Sequence, residues 1–304
     1  MSKKYIGVDL GAWLSKKTSI AICKLDDNKL ILDAIKHETT ERSEKPHVRN
    51  LKLISDLEEY AGKNAIIGID APFAIPYYLY NPLETEDITE DIYNPKDDNG
   101  TEIIKGELSN KFIFDNSARF VYKETNQIPL APAGDKIGKM TARMVHIVGS
   151  DKKKNELNII RNTELKSTHN IATIEVFPTT TIFKLAEVQN CLVKYFKTRT
   201  EQYDKNKKLE IKSYKGDNFV DKKDKKSQKE RMLKLIEEHV IITEKQKDEL
   251  IKTDDDYDAI ICALTAYLVS QEDGYLKPNQ DDYRKFTNSF IYIPSAKSIK
   301  NCHD

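Results

Sequence analysis

Two short apolar runs, Tyr5-Ile-Gly-Val-Asp9 and Ala65-Ile-Ile-Gly-Ile-Asp70, each stop at a carboxylate and then a turn, Leu10-Gly11 after the first and Ala71-Pro72 after the second. A strand without polar alternation is buried on both faces, and such strands belong to parallel sheets covered by helices on either side. A third run, Ile171-Ala-Thr-Ile-Glu-Val-Phe177, carries Glu175 near its end and is stopped by Pro178. These three runs dictate an α/β protein.

Thr18–Lys24 and Leu30–Lys36 are β-rich and separated by Asp26-Asp27-Asn28, residues that favour a hairpin. With the first run they predict a three-stranded antiparallel meander joined to parallel strands in one mixed sheet. Val48, Leu51, Ile54, Leu57 and Tyr60 recur every third residue and predict an amphipathic helix, with Gly62 suited to its C-terminal cap. Further helices are expected over 136–148, 179–192, 230–239, 243–251 and, strongly apolar, 256–270. The whole chain, 1–304, is read as one domain. Residues 80–115 lose periodicity and read as a surface insertion, and 194–234 as a lysine-rich insertion or arm.

Composition narrows the classes. Lys plus Arg and Asp plus Glu both number 49, so no net field draws the chain to nucleic acid or to a membrane, and any such binding has to come from local patches. The four cysteines lie far apart, with no CxxC pair to start a zinc site. No apolar run reaches the roughly 18 residues of a membrane span, and the Ser2-Lys3-Lys4 start runs straight into a strand without the apolar core of a signal peptide. A cytoplasmic, reduced protein with no membrane partner is expected.

Carboxylates at the ends of neighbouring buried strands, joined by one from a helix, supply the hard oxygen ligands that hold Mg²⁺ or Mn²⁺ beside a phosphate. Asp9, Asp70 and Asp258 are the candidates. Asp at a strand end also caps turns, and Asp254, Asp255 and Asp256 suit the first turn of a helix. Asp258 resists that explanation, because it shares a face with Ile261, Cys262 and Thr265, and a charge on an apolar face needs a partner or an ion. Glu175, inside an apolar run, is a fourth candidate, as ligand of a second ion or orienter of water. Tyr203, Tyr214 and Phe219 among the lysines of 194–234 suit stacking on bases, although a lysine-rich stretch is more often a solvated surface.

The series GVDLG, IGIDAPFAIP, YKETN, TIEVFP, SYKG and DDDYDAIICALTAYL, running from Tyr5 to Leu268, resembles the family of domain of unknown function 429, predicted RNase H-like nucleases. The resemblance implies an RNase H-like mixed sheet flanked by helices, in which Asp9, Asp70 and either Asp255 or Asp258 meet at a metal. The leading expectation, from the acidic strand ends and the lysine-aromatic segment together with this resemblance, is a metal-dependent nuclease with Asp9, Asp70, Glu175 and Asp258 as catalytic groups. Arg119, Lys123, Arg143 and Lys215, in matching motifs, are implied contacts to nucleic-acid phosphates. The chain departs from the family pattern at Lys123-Glu-Thr-Asn126, where Arg-x-Thr-Asp is expected, and in the length of its lysine-rich segment. Two other readings compete: a non-catalytic module binding nucleic acid or protein on the same fold, and an actin-like nucleotide-binding phosphotransferase. The second lacks the Gly-rich phosphate loops it needs, with only 11 glycines in the chain.

Overall fold

The computed structural model describes residues 2–12, 18–26, 29–38, 45–75, 115–125, 127–129, 132, 138–154, 157–166, 170–189, 222–286 and 289–301. Strands β1 (Lys4–Asp9), β2 (Ser19–Asp26) and β3 (Lys29–His37) form the expected antiparallel meander. After helix α1 (Pro46–Ala61), β4 (Ala65–Asp70) returns parallel to β1 on its other edge. Its register sets Gly7 beside Gly68 and Asp9 beside Asp70. Helices α2 (Asn116–Thr125) and α3 (Gly138–Lys154) and the short β5 (Ile159–Ile160) precede β6 (Ile171–Val176), which adds parallel to β4.

The described part of the chain ends with α4 (Pro178–Val188), α5 (Lys222–Glu237), β7 (Val240–Ile241), α6 (Glu244–Leu250), α7 (Asp254–Val269), β8 (Ile291–Tyr292) and α8 (Ala296–Asn301). The sheet order is β5-β6-β4-β1-β2-β3-β7, with β8 paired to β6. The protein is thus a mixed α/β structure with helices on both faces of one sheet.

Because side chains alternate along a strand, each face receives every second residue. Ile6, Val8, Ile20, Ile22, Ile67 and Ile69 pack against Leu53, Ile54 and Leu57 of α1 and Met144 and Ile147 of α3. Tyr5, Ala21, Cys23, Ile66, Ile174 and Val176 face the other way, into a core dominated by α7.

Helix α1 does not bury the face that its three-residue spacing suggests. Val48 is 42% and Leu51 46% exposed, while Arg49 and Asn50 are buried with Leu53, Ile54, Leu57 and Ala61. The inward polar pair is satisfied by a partner network: Arg49 donates to Glu38 Oε1, and Asn50 Oδ1 accepts from Arg143 Nε at 3.0 Å. A buried face of 3.6 period that includes polar residues is invisible to an apolar count.

At two points helix α7 meets the sheet with no side chain in between. A Cβ on Gly7 would run into the backbone of Ala259, Cys262 and Ala263, and one on Gly68 would come within 2.6 Å of the Cys262 carbonyl oxygen. The two glycines and the small residues Ala259, Cys262 and Ala263 therefore let main chain approach main chain. This contact holds the start of α7 over the ends of β1 and β4. Thr253 caps α7, accepting from the Asp256 amide at 3.2 Å.

Of the expected insertions, 80–114 and 194–221 lie outside the described residues. Asp115 introduces α2, and the end of the lysine-rich segment is α5, a packed helix that buries Met232, Leu233, Leu235 and Ile236. Among the described residues no helix is long and apolar enough to cross a membrane.

Candidate metal centre

Register and helix placement bring three carboxylates together. Asp9 ends β1 and Asp70 ends β4 as direct cross-strand neighbours on the α7 face, and Asp258 descends from the second turn of α7. One oxygen from each lies within 4.8 Å of the others, and no other such group of acidic, His or Cys side chains occurs among the described residues. Asp258 is fully buried, Asp9 is buried and Asp70 is half-buried.

The electrostatics match that crowding. Burial, and then the charges of Asp9 and Asp70, hold the Asp258 carboxyl well above its ordinary range. Three oxygen donors at this spacing, repelling one another in a largely buried setting, have the chemistry of a hard-cation cage, and a divalent ion would relieve the repulsion.

Asp255, the alternative third ligand, sits half-buried in the first turn of α7 and is not part of the group. Its neighbours have other partners. Asp254 pairs with Lys229 at 2.5 Å, and Asp256 Oδ1 accepts from Ser19 Oγ and pairs with His37 Nε2, both at 2.7 Å.

Glu175 does not converge with the trio. It is the register partner of Ile69, so it projects from the sheet face opposite Asp70. There its Oε2 accepts from the Phe73 amide at 3.0 Å and from Ser289 Oγ at 2.9 Å, which ties the loop after β4 to the end of β6. Burial and the charge of Asp115 push its carboxyl up to about 8. Asp115 is itself raised by burial, and its Oδ1 accepts from the Ala118 amide in the manner of a helix cap. Sequence reading missed Asp115 and Ser289. Asp115 has a faint signal, a cap residue before Asn-Ser; Ser289 has none.

The expected phosphate contacts divide. Arg143 is fully buried, donating to Glu38 Oε1 at 2.8 Å, to the Gly11 carbonyl at 2.7 Å and to Thr18 Oγ1 at 3.0 Å. The structure gives it a different duty: with Glu38 and Arg49 it fastens the turn that follows Asp9. Arg119 is buried on α2 and its charge is felt by Asp115. Lys123 is half-buried, 3.6 Å from Glu124. Lys215 and Asn126 lie outside the described residues.

The family model described as Protein of unknown function (DUF429) matches residues 7–282. The chain belongs to this family. The DUF429 match takes in Asp9, Asp70, Glu175 and Asp258. No curated protein and no solved structure matches the chain.

Proposed function

We propose that this chain is a divalent-metal-dependent nuclease on an RNase H-like fold, with Asp9, Asp70 and Asp258 holding Mg²⁺ or Mn²⁺. The observation that carries the reading is the mutual approach, within 4.8 Å, of three carboxylates from two adjacent parallel strands and one helix. The fold assignment is supported by the order β3-β2-β1-β4-β6, an antiparallel meander continued by parallel strands, with α7 across it.

A bound divalent ion supplies Lewis acidity, activating water and neutralising charge on the phosphoryl oxygens. The chain's own part is to present three negative oxygens at fixed spacing. The strand register sets the distance between Asp9 and Asp70, and the main-chain contact of α7 with Gly7 and Gly68 sets the depth of Asp258. Arg143 donates to the Gly11 carbonyl and so ties down the chain two residues after Asp9.

Calorimetric titration of Mn²⁺ into the wild type and Asp70→Asn, followed by a cleavage screen on labelled DNA and RNA, tests the reading. Metal binding and metal-dependent cleavage in the wild type, both lost in the variant, are expected. Wild-type cleavage that Asp70→Asn leaves intact, or no Mn²⁺ binding by either protein, would overturn it.

A further inference from the structure

The carboxylate pair at the ends of β1 and β4 is part of a longer polar row. Asp70 faces Asp9, Asp9 faces Ser19 on β2, and Ser19 faces His37 on β3, so four side chains cross the sheet in one line on the α7 face. Helix α7 touches this row twice. Asp258 meets Asp9 and Asp70, and Asp256 meets Ser19 and His37. Where the row leaves the cover of the helix, its last member emerges: the His37 side chain is 57% exposed while that of Asp256 is 11% exposed.

An imidazole this exposed would ordinarily sample several rotamers. Here the carboxylate of Asp256, itself fastened to Ser19, fixes the ring through Nε2. Nδ1 has no hydrogen-bond partner among the described residues and is the ring nitrogen left for a ligand.

We propose that His37 is a substrate-contacting residue of this site, binding through Nδ1 a nucleic-acid phosphate next to the one at the metal. The proposal rests on the metal-dependent nuclease reading. Strands lie about 4.8 Å apart, so two steps across the sheet put the His37 backbone about 10 Å from that of Asp9. That distance is too long for His37 to join the carboxylate cage, and it suits a neighbouring phosphate of the same strand. As an imidazolium held between Asp256 and a phosphate oxygen, the ring would form a charge-assisted hydrogen bond on either side. Asp256 is then a positioning residue: its task is the orientation of the ring.

The test uses the full chain, labelled single-stranded DNA and RNA oligonucleotides as probes, and the variants His37→Ala, His37→Asn and Asp70→Asn. His37→Ala is expected to bind Mn²⁺ as the wild type does and to bind the oligonucleotide roughly tenfold more weakly, with partial recovery in His37→Asn, whose amide can stand in for Nδ1–H. If cleavage is measured, KM rises and kcat stays. In nitrogen-15 spectra of the histidine rings, the Nδ1 signal that His37→Asn removes should shift when oligonucleotide is added to the wild type.

Unchanged oligonucleotide affinity in His37→Ala, a motionless ring signal, no oligonucleotide binding by the wild type, or loss of Mn²⁺ binding in His37→Ala would each overturn the proposal. The two readings fail separately. Mn²⁺ binding lost in Asp70→Asn with a silent His37→Ala removes only the role of His37. A His37-dependent affinity that persists in chelator, with Mn²⁺ binding retained by Asp70→Asn, removes the metal cage.

Discussion

Glu175→Gln should convert a pH-sensitive fold into a less sensitive one. In the wild type the carboxyl, 4% exposed, is raised from 4.5 to about 8, first by burial and then by the charge of Asp115. A carboxyl that holds its proton more tightly when folded gives stability that is fully present below about pH 4.5 and is lost as pH rises towards 8. At about 1.36 kcal/mol per pH unit the loss reaches about 5 kcal/mol by pH 8, a ceiling that relaxation around the site reduces. Glutamine keeps an oxygen for the Phe73 amide and Ser289 hydroxyl and has nothing to ionise. Urea unfolding in chelator, followed from about pH 5 to about pH 9, should therefore show the two proteins close together at the acid end. The variant should become the more stable by several kcal/mol at the alkaline end. Asp115→Asn should shorten the wild-type decline, since it removes the second cause of the shift. Parallel stability curves for wild type and Glu175→Gln across the range would refute the reasoning.

Asp258→Asn should abolish Mn²⁺ binding in calorimetry yet raise the thermal midpoint in chelator, because it deletes a buried charge crowded by Asp9 and Asp70. Gly7→Ala should destabilise by more than about 3 kcal/mol in urea unfolding, since its methyl would strike the backbone of α7, and Gly68→Ala should cost less. On α1, Leu51→Lys should change stability by no more than about 0.5 kcal/mol while Leu57→Ala costs about 2–5 kcal/mol, which checks by chemical denaturation which face of the helix is buried.

The site's three acids were legible because each breaks its own local pattern. Asp9 and Asp70 end strands that are otherwise wholly apolar, and Asp258 is a charge on an apolar helix. Glu175 breaks its pattern equally well, yet it points the other way. In a strand buried on both faces, Ile174 and Val176 look the same as Ile69, and only the pairing register reveals which side a residue takes. The same limit governs α1, where a buried Arg49 and Asn50 depend on Glu38 and Arg143, residues distant in sequence. The two-residue strands β5, β7 and β8 are too short to carry any periodicity, and their positions follow from packing on β6 and β3.

The seating of α7 on two glycines has a consequence for which ion the chain would prefer. Side chains re-pack when a neighbour changes, whereas backbone resting on backbone has almost no slack. The opening between Asp258 and the strand pair is thus a gauge of nearly constant width. A smaller cation that demands near-ideal spacing, such as Mg²⁺, would suit a rigid gauge. Ca²⁺, which asks for longer bonds and more ligands, would have to pry the helix from the sheet.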